Sequence, residues 1–214
     1  MSLSDKDFLV KSTVLGPLQT NSYLIAHLPT REAVLIDGGA IPLQLLKFVR
    51  LHELNMKYAL LTHCHFDHIQ GIEEVRQMTG CKVAMHKAED PILQAAHPAA
   101  AQWGFEPPKF QEPDLFIADG EKISVGNLAL TALWTPGHSP GGLSFYAAEL
   151  GVVFSGDCLF MQSIGRTDFP RGDFKTLITS IRTRLFTLPE ETRVAPGHGP
   201  STTISHEKRS NPFL

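Results

Sequence analysis

Four side chains able to hold a metal ion follow an apolar run within a few residues: Leu60-Leu61-Thr62-His63-Cys64-His65-Phe66-Asp67-His68. Imidazole nitrogens and carboxylate oxygens are ligands for zinc and related cations. With 10 histidines in 214 residues, His-x-His-x-Asp-His has odds of about one in a thousand of arising by chance. Residues i and i+2 of a strand face one side, so His63 and His65 can offer their rings to one ion at the strand's end. Asp67 and His68 come after the chain has turned toward the next helix and point to a second place a few ångströms away. The pattern suits two ions. The structural alternative, with Asp67 as a helix N-cap, leaves four polar groups beside a buried strand to be solvated or paired.

Three more candidates stand where loops should follow strands. His138 lies in Thr135-Pro136-Gly137-His138-Ser139-Pro140-Gly141-Gly142. Asp157 follows Val152-Val153-Phe154-Ser155-Gly156, and His198 lies in Ala195-Pro196-Gly197-His198-Gly199-Pro200. Each alone reads as a turn residue, but recurrence at strand ends favours a shared site. Arg166, in a Gly-flanked loop, is the candidate for binding a substrate carboxylate, against the alternative of a surface arginine paired with Asp168. Cys64 should face away from the ligands into the core, and Cys158 is read the same way. Trp103, Phe105 and Phe110 suit either a pocket wall or the core.

In this order, with Asp37 after the opening strands, the motifs resemble those of the metallo-β-lactamase superfamily, over nearly the whole chain. The resemblance implies an α/β fold, an αβ/βα four-layer sandwich of two mixed β-sheets flanked by helices. It also implies two ions, one held by His63, His65 and His138 and the other by Asp67, His68 and His198, with Asp157 bridging them. Ile164-Gly165-Arg166-Thr167-Asp168-Phe169-Pro170 and the ending Asn211-Pro212-Phe213-Leu214 are similar to short glyoxalase-II-like hydrolases of bacteria. Longer glyoxalase II enzymes carry a helical C-terminal extension that grips glutathione. Here 16 residues follow His198, so the expectation is a single domain, 1–214, without that extension.

The resulting expectation is a metal-dependent hydrolase with two zinc ions, iron or manganese being the other candidates, that cleaves a small thioester such as S-D-lactoylglutathione. Zinc lowers the pKa of bound water from near 16 to about 7, and a second ion can polarise the carbonyl. Asp67 and Asp157 are the catalytic candidates, while Asp37 and Thr62 are placed to hold ligands in position. The enzymatic rival is an iron-dependent persulfide dioxygenase of the same fold, using His63, His138 and Asp157. A non-catalytic metal-binding module is the rival of another class. Lactamase activity fits the Arg166 segment less well.

The elements that must carry these residues read as follows. Strands are expected at Phe8 to Leu15, Ser22 to Leu28 and Ala33 to Ile36, forming a meander. A helix from Leu43 to Leu54 and a buried run Tyr58 to Leu61 then begin a βαβ alternation. A helix from Ile69 to Thr79 closed by Gly80 leads to a strand at Lys82 to Met85. From Glu89 to Pro113 no period is sustained, which suggests a short helix and a mobile loop. Further strands are expected at Glu121 to Val125, Leu128 to Trp134, Leu143 to Ala147, Val152 to Ser155 and Thr192 to Ala195, with a helix from Asp173 to Leu185. Each half places an Asp after one apolar strand and a His after another, a weak hint of duplication.

Composition sets the outer limits. Hydrophobic residues at 43%, charged residues at 19% and a net charge of -3 are those of a globular domain, not of a chain that binds nucleic acid through excess positive charge. Met1 to Asp7 lacks the basic patch and apolar run of an export signal. The longest stretch without Asp, Glu, Lys or Arg, Ile123 to Ala148, contains Pro136, Pro140 and four glycines, so it reads as strands and a loop, with no membrane partner. Three cysteines suit reduced thiols. The expected setting is cytoplasmic, as a monomer or homodimer acting on a small molecule.

Overall fold

The computed structural model describes residues 2–4 and 7–214. Of the N-terminal segment read above, Met1, Asp5 and Lys6 lie outside the described residues. The first sheet has seven strands in chain order: β1 (Ser2–Ser4), β2 (Phe8–Leu15), β3 (Thr20–His27), β4 (Glu32–Ile36), β5 (Asn55–Leu60), β6 (Lys82–Met85) and β7 (Leu115–Phe116). Strands β1 to β4 pair antiparallel, and β4 to β7 pair parallel. Helices α1 (Leu43–Leu51), α2 (Phe66–Ile69), α3 (Ile72–Thr79) and α4 (Asp90–Gln102) fall within its parallel half.

The second sheet contains β8 (Lys122–Val125), β9 (Leu128–Trp134), β10 (Leu143–Ala147), β11 (Val152–Gly156), β14 (Arg193–Pro196) and β15 (Thr202–Thr203), and a small hairpin, β12 (Leu159–Phe160) with β13 (Ser163–Ile164), follows β11. Helix α5 (Phe174–Ser180), continued by a π-helical turn at Ile181–Leu185, and helix α6 (Ile204–Ser210) complete it. Here too an antiparallel meander, β8 to β11, runs into one parallel pair, β11 with β14.

Side-chain alternation explains the layers. On β3 and β4, Ile25, Val34 and Ile36 point inward to meet Phe145 and Phe154 between the sheets. Their neighbours Leu24 and Leu35 point outward against Leu45 and Val49 of α1, Val75 of α3 and Leu93 of α4. Beyond the second sheet, Val153 and Val194 pack on Leu177, Ile181 and Ile204. The result is the expected helix-sheet-sheet-helix sandwich. Strand β3 is buried along its whole length, so Tyr23 to Ala26 run apolar without alternation, while Thr20, Asn21 and Ser22 are buried polar groups.

Several expectations need correction. The helix expected from Ile69 is two helices, α2 and α3, broken at Gly71. The Gly71 amide donates to Gly38 O at 2.8 Å and Gly38 N donates to His68 O at 2.8 Å. A Cβ at Gly71 would strike the backbone at Ala40, so glycine permits this close crossing. Between Glu89 and Pro113 the expected short helix is the 13-residue α4. Pro91 sits in its first turn, where the missing N–H costs nothing, and Ile92, Leu93, Ala96 and Ala100 form its buried face. Helix α6 was not expected.

Candidate metal centre

Strands β4, β5, β11 and β14 all end at one rim of the sandwich, and the loops that leave them carry the polar residues. Asp37 follows β4, His63 to His68 follow β5, Asp157 follows β11 and His198 follows β14. The carboxyl ends of parallel strands converge in this way wherever such a sheet binds a ligand. Strand β5 stops at Leu60, so His63 and His65 lie in the following loop and not on the strand. Their rings still come together, 4.7 Å apart between centroids. The N-cap of α2 is His65, with Asp67 inside the first turn.

Three groupings place their candidate ligand atoms within 4.8 Å of one another: His63 with His65 and His138, Asp67 with His68 and His198, and His63 with His68 and Asp157. The third links the first two. Asp157 Oδ1 lies 3.4 Å from His68 Nε2, while its Oδ2 lies 3.6 Å from His138 Nε2 and 3.5 Å from His198 Nε2. All seven residues expected to hold the two ions are therefore gathered in one place.

Outer hydrogen bonds turn four of the five rings so that Nε2 faces inward. The Nδ1–H of His138 donates to Arg166 O at 2.7 Å, that of His198 to Leu18 O at 3.0 Å, and that of His68 to Asp37 Oδ2 at 2.8 Å. Thr62 Oγ1 donates to Asp37 Oδ2 at 2.7 Å, which leaves it an acceptor for His63 Nδ1–H at 3.1 Å. With each Nδ1 carrying the proton, Nε2 offers a lone pair. Asp37 and Thr62 thus stand where the sequence expected them. Asp37 adopts φ 55, a left-handed conformation that aspartate tolerates better than most residues, and this aims its carboxylate at both Thr62 and His68.

The donor set fits cations. His138 Nε2 lies 3.3 Å from His63 Nε2 and 2.9 Å from His65 Nδ1. Since Nδ1 of His63 and of His138 is already the protonated nitrogen, two lone pairs confront each other across 3.3 Å. Asp157 Oδ1 is buried and makes no hydrogen bond among the described residues. Three carboxylates, Asp37, Asp67 and Asp157, have only imidazoles for ion-pair partners there. Such an array is repulsive until a positive charge stands between the nitrogens.

Proton affinities follow from this crowding. Burial and then the neighbouring rings of His68, His65 and His138 hold His63 well below its ordinary value. Burial and then His138 bring His65 down to about 3, and burial also lowers His138. Burial alone would push Asp157 up, but His68, His138 and His63 outweigh it and hold the carboxyl well below its usual range. His63, His65 and His138 are thereby kept neutral and Asp157 ionised, the states that ligation needs.

Three contributors were missed in the sequence. Asn21 on β3 donates its side-chain amide to Pro196 O at 3.0 Å and Gly199 O at 2.9 Å, and its backbone N–H to Gly197 O at 2.7 Å. Tyr23 OH adds a bond to Pro196 O at 2.7 Å. The loop bearing His198 is therefore clamped to the first sheet. At Gly197 any Cβ would collide with Asp157 Oδ1, so glycine lets that loop close on the cluster. The third is Glu89, fully buried, whose carboxylate accepts from the backbone of both the His63–His65 loop and the loop after His138.

Arg166 lies at the rim with its side chain 49% exposed and is paired with Asp168 through two bonds of 2.7 and 2.6 Å. Its guanidinium sits 3.8 Å from the Phe169 ring centre, and Phe169 meets His65 edge to face at 5.5 Å. Cys64 and Cys158 are both buried in the core: Cys64 Sγ meets Met85 Sδ at 3.3 Å, while Cys158 also borders the space lined by His63, His138 and Asp157. Phe110 is core, Phe105 is half-buried against Phe66, and Trp103 is exposed.

The model of the metallo-beta-lactamase superfamily matches residues 15–198, a span that includes every residue of the cluster. The chain belongs to this superfamily. Among its relatives is the hydroxyacylglutathione hydrolase GloC of Haemophilus influenzae, 41% identical over 192 residues, with 86% of this chain and 88% of the relative covered. Two solved structures are similar: the BLEG-1 B3 metallo-beta-lactamase, 39% identical with TM-score 0.88 over 96% of this chain and 99% of that one, and TTHA1623 in a di-iron-bound form, 41% identical with TM-score 0.86 over 95% and 100%. These names span different activities, and so the superfamily membership makes the chain a metal-dependent hydrolase by kinship while leaving substrate and metal to the site. Among the described residues no helix is long and apolar enough to cross a membrane.

Proposed function

We propose that this superfamily member is a binuclear hydrolase of the glyoxalase II type, cleaving a small acyl thioester. The observation that carries the reading is the completeness of both halves of the cluster, with Asp157 within 3.6 Å of a ring from each. His63, His65 and His138 would hold one ion, Asp67, His68 and His198 the other, and Asp157 both. Two zinc ions are the first candidates. Bound there, divalent cations make water a nucleophile near neutral pH and polarise a carbonyl oxygen.

The chain's own residues do the rest. Asp67 Oδ2, 3.2 Å from His198 Nε2 and 3.4 Å from Thr20 Oγ1, is placed to orient the attacking water and accept its proton. Water's oxygen adds to the acyl carbon as one of its protons passes to Asp67, the C–S bond breaks, and the acid formed loses the second proton to solvent and leaves as a carboxylate, while the thiolate takes a proton from solvent and Asp67 returns its own. A thiolate is a good leaving group, so no strong general acid is required. Arg166 would meet a carboxylate on the thiol carrier. The likeness to the Haemophilus influenzae hydroxyacylglutathione hydrolase supports the thioester class.

An iron-dependent persulfide dioxygenase would need only His63, His138 and Asp157, leaving His65, Asp67, His68 and His198 without a task. The test is metal content per chain on protein purified without added metal, beside S-D-lactoylglutathione hydrolysis and glutathione-persulfide oxygen uptake on the same sample. Two metal equivalents with thioester cleavage are expected. One iron with oxygen consumption would overturn the proposal.

A further inference from the structure

The two ends of the cluster border surfaces of opposite character. At the His63, His65 and His138 end stands the cationic stack already described, Arg166 on Phe169 on His65, with Arg166 O holding His138. The Asp67, His68 and His198 end opens instead on a shallow, solvent-open cleft whose walls include Leu15, Pro17, Leu18, Phe66 and Phe105. Asp67 lines the same cleft, and no lysine, arginine or histidine does. The cleft is attached to the site itself, because Leu18 O accepts from His198 Nδ1 and Thr20 Oγ1 donates to Asp67.

Leu18 is 42% exposed at the tip of the β2–β3 hairpin. Opposite, Phe66 and Phe105 pack with centroids 5.3 Å apart, and the segment carrying Phe105 is tied down by Gln70 Nε2 donating to Glu106 O at 2.9 Å. An apolar leucine held in solvent beside buried Phe66 and half-buried Phe105 costs hydration that a bound apolar group would recover.

We infer that this cleft is the acyl subsite, and that it selects thioesters with an uncharged, apolar acyl chain laid over Leu18, Phe66 and Phe105, the anionic thiol carrier lying at the other end beside Arg166. The inference rests on the thioesterase reading and gives it a direction: the scissile carbonyl sits over the cluster, one arm of the substrate at each end. A charged acyl group finds no lysine, arginine or histidine along the cleft to offset its desolvation.

The experiment uses the metal-loaded protein with S-acetyl-, S-butanoyl- and S-hexanoylglutathione and S-succinylglutathione. Each methylene buried in an apolar cleft is worth about fourfold in kcat/KM. Expected are a rise along the uncharged series and a low value for the succinyl thioester. Leu18→Asn, at an exposed tip whose backbone carbonyl is retained, should flatten the hexanoyl-to-acetyl ratio, and Phe105→Ser should flatten it further. Equal kcat/KM along the series, or an unchanged ratio in both variants, overturns the subsite while thioester cleavage stands. Cleavage of no thioester by protein holding two metal equivalents overturns the thioesterase reading and the subsite with it.

Discussion

The Glu89 carboxylate accepts the Cys64 amide hydrogen at 2.8 Å through one oxygen, and with the other it accepts the Gly141 amide hydrogen at 2.6 Å. Cys64 separates His63 from His65, and Gly141 lies three residues after His138. One buried side chain thus ties together the two loops that supply three rings of the cluster. Burial raises its pKa, and among the described residues no lysine or arginine pairs with it.

Glu89→Gln keeps one acceptor and turns an N–H toward an N–H. Losing a buried hydrogen bond to a charged group costs about 1–3 kcal/mol, so the variant should hold its first metal about tenfold more weakly, and Glu89→Ala more weakly still. Metal retained per chain during dialysis against a graded chelator measures this. A variant with normal retention and only a lower melting temperature would make the carboxylate purely structural.

His65→Ala and His198→Ala should each lose one metal equivalent and most turnover, by elemental analysis and thioester cleavage on the same samples. Asp157→Ala should lose more than either, since its oxygens face rings from both halves. Wild-type metal content and rate in His65→Ala would sink the ligand assignment.

Asp37→Asn tests orientation without altering the backbone, because asparagine also tolerates φ 55. The amide presents a donor where His68 Nδ1–H, Thr62 N–H and Thr62 Oγ1 now donate. Loss of such outer partners commonly costs about 10- to 100-fold in metal affinity. The loss should fall on the ion nearest His68, visible as biphasic release on competition with a coloured chelator.

The Arg166–Asp168 pair gives a prediction with a pH sign. Arg166 holds the Asp168 carboxyl down to about 2. A depressed carboxyl pKa means the pair is fully formed above the ordinary aspartate range and fails only as pH falls through about 2. Its occupancy should therefore add nothing to the pH dependence of KM between pH 5 and 9. Arg166→Ala should raise KM for a glutathione thioester with a smaller effect on kcat, and Asp168→Asn, by freeing the guanidinium, should lower it. Steady-state kinetics across that pH range decide both.

Burial raises all three thiols, Cys158 to about 12. Thiolate is the reactive form, so a disulfide reagent should label none in the folded protein and three per chain in denaturant.

What the sequence revealed and what it hid divide along physical lines. The candidate ligand cluster is legible because only a few side chains can serve and because the strands before them are apolar. Asp37 and Thr62 were legible through the same adjacency. Glu89 and Asn21 were not, since both act on backbone groups that any residue at positions 64, 141, 196 or 199 would present. Helix α4 was hidden by Pro91 and Pro98, which read as breakers, although its alanines favour a helix and its buried face is regular. The two-residue strands β7, β12, β13 and β15 carry too few residues for any period to show.

The clamp of Asn21 and Tyr23 on the loop of His198 joins chain positions far apart: His68 and His198, whose Nε2 atoms stand 3.3 Å apart, are separated by 130 positions. During synthesis six of the seven ligands are already made when the last is still to come. An emerging chain therefore carries six of the seven proposed ligands, four imidazoles and two carboxylates, before it has the ring that would complete the second half. Strand β14, which lies parallel to β11, brings the final ring, so on the two-ion reading the pairing of β14 and the completion of the second half of the site would be one event. Metal supply should then govern the yield of folded protein as well as its activity.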